Sequence, residues 1–295
     1  KLGNKVIAID NLDPYYEGKE ENIQHNLKNE NFRFLKLDVL NLENLNLAFK
    51  NIDLVFHLAA QPGVGFSMEN PHKTNTVNVK GTLNVLLAAK KNNVKRVIVA
   101  SSSSVYGIPS YVPIDEEHPL NPISVYGVSK FAAEKYCQVL GDLMNIYIVI
   151  LRYHTVYGPR QRPDMAIYRW IKAILNGQPP VIYGDGNQSR DFTYISDVID
   201  ATIAAAEVEN INGEIFNVGS GNRVVINNLV RLLLKIICKD ENEIKPIYKK
   251  QRIGDVPCTW ANISKAKKIL NYRPKIKLDT GIKQTIDFFQ RKWFK

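Results

Sequence analysis

The first half of the chain alternates short apolar stretches with longer stretches that have apolar residues at helical spacing. The short stretches contain few polar residues, which is typical of strands covered on both faces. They are Lys5–Asp10, Phe32–Val39, Asp53–Ala60, Lys95–Ser102 and Ile146–Tyr153. Between them, a helical pattern covers Val79–Leu87, and residues 126–145 are rich in Ala, Lys and Glu. This alternation predicts an α/β fold with a doubly wound parallel sheet.

The composition narrows the class of protein. With 45% hydrophobic and 23% charged residues, the chain is neither disordered nor fibrous. Apolar runs such as Ile146–Leu151 are strand-sized and fall short of the ~18–20 residues of a membrane helix, so we expect no membrane segment. The three cysteines, Cys137, Cys238 and Cys258, are far apart and odd in number. They predict no disulfide framework and no metal site, and they favour a reduced, cytoplasmic protein.

The net charge of +10, from 39 Lys plus Arg against 29 Asp plus Glu, raises the question of nucleic-acid binding. The basic residues stand singly or in pairs, as at Lys90–Lys91 and Lys249–Lys250, with acidic residues between them. No dense basic run or nucleic-acid-binding motif is present. We therefore expect a solvated basic surface and no nucleic-acid partner. A weaker hypothesis is that the positive field attracts a small anionic substrate.

The strongest chemical signal is the segment Tyr126-Gly-Val-Ser-Lys130, which follows the serine cluster Ser101–Ser104. Residues four apart share one helical face, so the spacing predicts that Lys130 lies beside Tyr126. An ammonium close to a phenol lowers the pKa of the phenol and favours the phenolate. With a serine hydroxyl at the end of the preceding strand, this set can remove a proton from a sugar hydroxyl while hydride leaves the carbon. The simpler alternative is an ordinary helix, because Tyr and Lys at this spacing occur often by chance.

Several longer motifs carry a family resemblance that runs through nearly the whole chain. They are HLAAQPGV (57–64), NVKGTLNVL (78–86), SSSSVYG (101–107), YGVSK (126–130), LRYHTVYGPRQRPDM (151–165), SRDFTYISDV (189–198), RIGD (252–255) and ANISKAKKILNYRP (261–274). The chain resembles the extended short-chain dehydrogenase/reductase family, and within it the NAD-dependent nucleotide-sugar 4-epimerases. The resemblance implies a Rossmann-type domain at 1–157 plus about 191–218. It implies a smaller C-terminal α/β lobe for the nucleotide sugar at 158–190 and 219–295.

The resemblance also implies how NAD would be held. Asp10 would accept the ribose hydroxyls and repel a 2′-phosphate, which favours NAD over NADP. Tyr126 would be the base, Lys130 its activator and a ribose ligand, and Ser102 and Ser103 the hydroxyls at the sugar. The other residues implied on the cofactor side are Asn11, Asp38, Val39, Leu58, Ala59, Ala60, Asn78 and Tyr153. The alternative role of Asp10 is to form a turn, and that of Leu58, Ala59 and Ala60 is packing. Asn78 would otherwise lie on a helix surface.

One family feature is expected upstream of the given residues. The Gly-rich turn that cradles a dinucleotide lies about 20 residues before the acid that ends the second strand. Because that acid would be Asp10, the turn would fall before residue 1. We therefore carry the alternative of an inactive, truncated sugar-nucleotide-binding protein. A third alternative is a net dehydrogenase that releases NADH.

In the C-terminal lobe, the resemblance implies a nucleotide site. Arg190 and Arg252 would grip the diphosphate, because a guanidinium fork suits phosphate oxygens. Asp255 would hold the uridine ribose and Tyr183 would cover the uracil. Surface salt bridges are the alternative role for these residues.

The reaction and the sugar are inferred from absences and from one motif. Dehydrating and decarboxylating relatives place acidic residues near the catalytic hydroxyl, where this chain has Ser103-Ser104-Val105, so epimerisation at C4 is expected. Thr155 and Arg162 resemble the uronate-handling branch and would bind a C6 carboxylate, with Arg160 as an alternative to Arg162. UDP-glucuronate is favoured over UDP-glucose. UDP-GlcNAc is an alternative substrate, because the expected gate residue, Thr259, is small. A dehydratase or decarboxylase is an alternative activity. Helices around Leu83–Lys90 and Tyr126–Leu140 resemble a homodimer interface.

Overall fold

A computed structural model describes residues 3–238 and 244–293. Its strands are β1 (Val6–Asp10), β2 (Phe32–Lys36), β3 (Leu54–His57), β4 (Arg96–Ser102), β5 (Tyr147–Tyr153), β6 (Thr155–Tyr157), β7 (Val181–Tyr183), β8 (Ser189–Arg190), β9 (Phe192–Tyr194), β10 (Ile215–Val218), β11 (Val224–Val225) and β12 (Ile247–Lys249). Its helices are α1 (Lys19–Gln24), α2 (Leu42–Ala48), α3 (Val64–Glu69), α4 (Pro71–Asn75), α5 (Gly81–Lys91), α6 (Val125–Met144), α7 (Ala166–Leu175), α8 (Ile195–Glu207), α9 (Ile226–Ile237), α10 (Ser264–Ile269) and α11 (Leu278–Trp293).

Two groups of parallel strands contain the five early strands predicted from the sequence. The larger sheet has the order β10-β5-β4-β3, and β1 pairs with β2. Strand and helix alternate along the chain, which confirms the α/β prediction. In the larger sheet, the last residue of β4, Ser102, lies opposite the last residue of β5, Tyr153. Parallel strands whose carboxyl ends coincide bring their end residues to one edge, and that edge is where α/β proteins bind ligands.

The prediction that all five early strands are covered on both faces holds for the central pair and fails elsewhere. In β4 and β5 the residues between the strand ends are buried. By contrast, Val6 of β1 is 47% exposed and Phe56 of β3 is 41% exposed. Neither β1 nor β3 has a second strand partner among the described residues. An apolar run therefore identified these strands but did not reveal which of them lie at a sheet edge.

Three large apolar clusters form most of the core of the described residues. One packs α2, α5 and α6 against the inner strands, with Leu86, Val97 and Ile150 at its centre. A second packs α8 and α10 on the other side of the sheet, around Phe216. This coverage of both faces by helices is what a parallel sheet requires.

The third cluster lies in the C-terminal part of the chain. It is formed by α7, α9 and α11, and Trp170, Leu233 and Phe289 are buried within it. Short strand pairs, such as β12 with β7 and β11 with β8, complete this region. None of the described helices combines the length and the apolar character needed to cross a membrane.

Candidate active site

One large cleft of about 890 Å³ lies at the carboxyl ends of the parallel strands and is walled on the other side by the C-terminal region. This volume is near the upper end of the range for small-molecule sites, roughly 300–1,000 Å³. Most of the residues predicted from the sequence line it. They are Asp10, Asn11, Asp38, Val39, Leu58, Ala59, Ala60, Ser102, Ser103, Tyr126, Lys130, Tyr153, Thr155, Arg162, Arg190, Asp255 and Thr259.

The start of α6 brings Tyr126 to the serine cluster. Ser124 caps the helix by accepting a hydrogen bond from the Gly127 amide at 3.0 Å, as an N-cap serine does. The Tyr126 amide donates to Ser67 Oγ at 3.0 Å. At the next residue, a Cβ on Gly127 would lie 2.5 Å from the Ser104 carbonyl oxygen. Only glycine allows this close approach, so the absence of a side chain at position 127 helps to place Tyr126 beside Ser102 and Ser103.

Lys130 lies one turn further along α6 and is almost completely buried. Its Nζ donates a hydrogen bond to the Ala100 carbonyl oxygen of β4 at 2.9 Å. Burial lowers its pKa to about 8, against opposing contributions from Cys137 and Glu134. The ammonium is thus tied to the strand that carries the serines, and it lines the same cleft as Tyr126.

The electrostatics of Tyr126 differ from the prediction. Burial raises the pKa of its phenol above the ordinary value, and the Arg162 guanidinium and the Ser102 hydroxyl lower it in part. Arg162 and Ser102 are the groups that oppose this rise, and the activation of Tyr126 by Lys130 stays a prediction. The Lys130 ammonium itself donates to the backbone of β4.

Beneath Lys130, a buried ion pair joins α6 to β5. Glu134 accepts hydrogen bonds from Arg152 Nε at 3.0 Å and Nη2 at 2.8 Å, and also from the Ser101 hydroxyl. Arg152 Nη1 donates to the Tyr106 hydroxyl at 3.0 Å. Because both charges are paired and hydrogen-bonded, the network fixes the helix against the strand. No motif of the sequence indicated this ion pair, although Glu134 follows Lys130 at the spacing of one helical turn.

On the cofactor side, a hydrogen bond joins the ends of β1 and β2. Asn11 Nδ2 donates to Asp38 Oδ2 at 2.9 Å, and the Leu12 amide donates to Asp10 Oδ1 at 2.7 Å. Each carboxylate retains acceptor capacity toward the cleft, since a carboxylate oxygen accepts more than one hydrogen bond. Tyr153 donates to or accepts from Thr202 at 2.8 Å, and burial raises its pKa to about 12.

Asn78, predicted on the cofactor side, does not line the cleft. Its Oδ1 accepts from the Gln61 amide at 2.7 Å, and its Nδ2 donates to the Gln61 carbonyl and to Ser129 Oγ. The side chain is fully buried and its hydrogen bonds are used within the protein. In this structure Asn78 holds the loop after β3 against α6, so its direct contact with a cofactor remains a prediction.

The residues predicted for the nucleotide fall into two groups. Arg190 and Asp255 line the cleft, and Arg190 Nη2 lies 3.9 Å from Asp255 Oδ1. Burial lowers the pKa of Arg190, although Asp255 and Cys258 oppose the shift. Tyr183 and Arg252 lie outside the cleft, where the Arg252 guanidinium stacks 3.8 Å from the centre of the Tyr183 ring. One face of the Tyr183 ring is thus covered by Arg252.

At the sugar end, Thr155 and Arg162 line the cleft together with Thr259. Arg162 forms a bidentate pair with Asp164, with distances of 2.9 and 3.0 Å. Arg160, the alternative, donates instead to the Asn22 carbonyl oxygen at 3.3 Å and is not among the residues that line the cleft. Tyr15, which no motif of the sequence indicated, donates a hydrogen bond from its hydroxyl to Asp164 at 3.0 Å.

With this geometry described, comparison with known proteins identifies the family. The sequence model of the NAD dependent epimerase/dehydratase family matches residues 1–219. The chain belongs to this family. A UDP-glucuronate 4-epimerase from Thermodesulfobacterium geofontis is 40% identical over 294 residues, which cover 98% of this chain and 89% of the relative.

Solved structures agree with the sequence match. UDP-glucuronic acid 4-epimerase from Bacillus cereus, in complex with UDP-glucuronic acid and NAD, superposes with a TM-score of 0.91. It is 40% identical and covers 98% of this chain and 91% of its own. UDP-N-acetylglucosamine 4-epimerase from Methanobrevibacter ruminantium, in complex with UDP-N-acetylmuramic acid, gives 0.90 at 36% identity, with coverages of 98% and 91%. The predicted Rossmann-type fold and family are confirmed.

Proposed function

We propose that this protein is an NAD-dependent 4-epimerase of a UDP-sugar, with UDP-glucuronate as its substrate. One observation carries the proposal: Tyr126, Lys130, Ser102, Thr155 and Arg162 all line one cleft. The first three can move a proton at a sugar hydroxyl, and the last two can bind a carboxylate. The similarity to UDP-glucuronate 4-epimerases over almost the whole chain supports the same reaction.

The residues on the cofactor side fit NAD. Asp10 and Asp38 offer carboxylate oxygens at the ends of β1 and β2, and the short side chains of Ala59 and Ala60 leave room along the cleft. Lys130 would bind the nicotinamide ribose, and Tyr153 would lie under the nicotinamide. When bound, NAD accepts a hydride from C4 of the sugar and returns it to the opposite face.

Tyr126 would act as the base. Its phenolate takes the proton of the C4 hydroxyl while C4 is oxidised, and its phenol returns that proton when C4 is reduced, so no net redox change results. Ser102 would hydrogen-bond the same oxygen, with Ser103 beside it. No carboxylate stands at positions 103 or 104, so no acidic side chain of this cluster is available for elimination from the keto sugar.

Thr155 and Arg162 would bind the C6 carboxylate of the sugar. A guanidinium recognises a carboxylate through paired hydrogen bonds, and a neutral hydroxymethyl group cannot replace that interaction. Arg190 and Asp255 would hold the diphosphate and the uridine ribose. Arg252 would grip the diphosphate together with Arg190, and Tyr183 would cover the uracil.

UDP-GlcNAc is a second candidate substrate. The expected gate residue, Thr259, is short, and its hydroxyl accepts a hydrogen bond from the Asp191 amide at 3.2 Å. This leaves space for a bulkier substituent on the sugar. The similarity to an archaeal UDP-N-acetylglucosamine 4-epimerase supports this candidate.

We also propose that the protein works as a homodimer in the cytoplasm, with its domains divided as the sequence predicts. Helix α6 exposes apolar side chains along one face: Val128 is 52%, Val139 59% and Leu143 76% exposed, and Leu87 of α5 is 42% exposed. An exposed stripe of this kind suits a helical interface between two copies. The odd number of widely spaced cysteines supports a reducing compartment.

Product analysis tests the reaction and the substrate together. The protein and NAD are incubated in three separate reactions, each with one of UDP-glucuronate, UDP-glucose and UDP-GlcNAc. The C4 epimers are then separated by chromatography. We expect turnover of UDP-glucuronate with almost no absorbance growth at 340 nm, because hydride returns to the sugar. Steady NADH growth would instead indicate a dehydrogenase. Turnover of UDP-glucose without turnover of UDP-glucuronate would refute the substrate.

A further inference from the structure

The loop between β6 and α7 holds Arg162 in one orientation. Its Nε donates to Asp164 Oδ1 at 2.9 Å, and its Nη2 donates to Asp164 Oδ2 at 3.0 Å. Asp164 therefore occupies the edge of the guanidinium formed by Nε and Nη2. Nη2 also donates to Met165 Sδ at 3.5 Å. Five N–H bonds are available on a guanidinium, so the two N–H bonds of Nη1 are left for a second carboxylate.

A third residue, from a distant part of the chain, completes the arrangement. The Tyr15 hydroxyl donates to Asp164 Oδ2 at 3.0 Å. Tyr15 belongs to the loop after β1, close to Asp10 and Asn11, whereas Asp164 belongs to the loop before α7. The chain of contacts Tyr15–Asp164–Arg162 thus joins the cofactor side of the cleft to its sugar side.

Tyr15 is itself held in place. Its ring packs edge-on against Phe66, with 4.8 Å between ring centres, and its amide donates to Asp13 Oδ1 at 2.9 Å. Gly63 makes room for it, because a Cβ there would lie 2.7 Å from the Tyr15 hydroxyl oxygen. The hydroxyl therefore has a defined position from which to fix Asp164.

The charge states suit a lasting contact. Burial and the nearby Asp164 charge raise the pKa of Tyr15 to about 12, so the phenol stays protonated and remains a donor. For Asp164, burial acts to raise the pKa, but hydrogen bonding and attraction from Arg162 outweigh it and hold the pKa below its usual value. The carboxylate stays charged and keeps its hold on the guanidinium.

An Arg–Asp pair two residues apart in a loop would ordinarily count as a surface salt bridge of little consequence. Two observations separate this pair from that class. The chain of contacts joins two loops, because Tyr15 follows β1 whereas Arg162 and Asp164 precede α7. In addition, Tyr15 and Arg162 line the cleft that also contains Tyr126. Arg162 also lowers the pKa of Tyr126 through its charge, and both residues line the same cleft.

We propose that Asp164 and Tyr15 are positioning residues that preset Arg162 for a sugar carboxylate and thereby determine the preference for a uronate over a neutral hexose. This rests on the proposed function. A flexible arginine loses rotamer freedom when it binds a ligand, whereas one already held by Asp164 loses less. A neutral sugar, which offers no carboxylate to Nη1 of Arg162, gains nothing from this arrangement.

The test compares two ligands in two variants. Asp164→Asn keeps the size of the side chain and removes the charge that holds Arg162, and Tyr15→Phe removes only the hydroxyl. Dissociation constants for UDP-glucuronate and UDP-glucose are measured by titration calorimetry with NAD present, and kcat and KM are measured in parallel. We expect Asp164→Asn to weaken UDP-glucuronate binding about tenfold, the loss typical of one charge-assisted hydrogen bond, with UDP-glucose changed less than about twofold. Tyr15→Phe should weaken UDP-glucuronate about threefold.

Matched controls are Asp287→Asn, at an exposed position of α11, and Tyr168→Phe, a phenol of α7 that does not line the cleft. Equal losses for both ligands, no change, or tighter binding of UDP-glucuronate would overturn the proposal. If Asp164→Asn does not fold, judged by circular dichroism, Tyr15→Phe decides by the same ligand ratio. Because binding is measured apart from turnover, a wild type that binds but does not epimerise UDP-glucuronate refutes the proposed function and leaves the positioning proposal open to its own test.

Discussion

At the scale of the residue, the chemistry depends on the environment of the Tyr126 phenol. Burial makes the phenolate harder to form, and Arg162 and Ser102 act in the opposite direction. A base in a cleft is effective when nearby groups are already oriented to stabilise its charged form. The balance between burial and these two groups therefore sets the pH range in which the protein can work.

Removing the Ser102 hydroxyl should move that range. Ser102 lowers the pKa of Tyr126, so Ser102→Ala raises it further above its ordinary value. The active form is the deprotonated phenolate, and the rate rises with pH through this pKa, so the rising limb of kcat should move to higher pH. At any pH on this rising limb, kcat of the variant should be about fivefold lower than that of the wild type, the equivalent of one hydrogen bond. A pH profile of kcat checks this, with Ser264→Ala at an exposed position as control. An unmoved limb would contradict it.

Removing the base itself should have a larger effect. Tyr126→Phe keeps the ring and deletes the group that takes the proton, and general base catalysis typically contributes about 10²–10⁴-fold. We expect kcat to fall by that factor while binding of the UDP-sugar changes little. Turnover and calorimetry on the same preparation measure both quantities, with Tyr168→Phe as the control phenol. A variant as fast as the wild type would exclude Tyr126 as the base.

At the scale of the element, α6 is the helix that assembles the site. Its cap at Ser124, the close approach at Gly127 and the tie from Lys130 to Ala100 all fall within its first two turns. The ion pair between Glu134 and Arg152 then anchors the following turn to β5. The position of Tyr126 is thus decided by how this helix packs on β4 and β5.

Gly127 provides a direct test of that packing. Gly127→Ala would place a methyl group 2.5 Å from the Ser104 carbonyl oxygen, so the helix and the serine loop must separate. Overpacking of this kind typically costs about 1–3 kcal/mol of unfolding free energy. We expect that loss in denaturant unfolding, together with a fall in kcat, because Tyr126 moves away from Ser102.

The control for this prediction is Gly65→Ala in α3, where an added Cβ would meet no atom within 4 Å. Alanine favours helix over glycine by up to about 1 kcal/mol, so this variant should be as stable as the wild type or slightly more so. Equal stability and activity in the two variants would show that the approach at Gly127 does not position the base.

Prediction of the elements from the sequence was uneven for physical reasons. The five early strands were found because apolar β-branched runs identify buried strands, and the observed strands lie within the predicted stretches. The exposure of β1 and β3 was not predicted, because a strand with one neighbouring strand and a strand with two can have the same run of apolar residues. The helix predicted at 126–145 is α6, Val125–Met144, with a serine cap that is visible in the sequence.

At the scale of the whole molecule, the α6 stripe predicts association. We expect a dimer in solution, and Val139→Glu together with Leu143→Glu should convert it to a monomer, because charges would be buried in an apolar interface. Size-exclusion chromatography with light scattering measures this. The control is Leu47→Glu in α2, a side chain that is 62% exposed on another helix. A monomeric wild type, or a double variant that stays dimeric, would contradict the proposed interface.

The sequence by itself determined the family, the α/β fold and most of the residues that line the cleft. These follow from local patterns: periodicity for the strands and helices, and motifs whose residues lie close together along the chain. Asp10, Ser102, Tyr126 and Lys130 could be predicted because strand ends and helix starts in a parallel sheet meet at one edge.

Only the tertiary structure decided which groups act on one another across the cleft. Tyr15 and Asp164 are 149 residues apart, and no periodicity or motif relates them. The sequence also did not show that Arg162 lowers the pKa of Tyr126. Nor did it show that the hydrogen bonds of Asn78 are used inside the protein. Burial and hydrogen-bond partners arise from packing between distant segments, so the pKa values and the orientation of the site were fixed only when the chain folded.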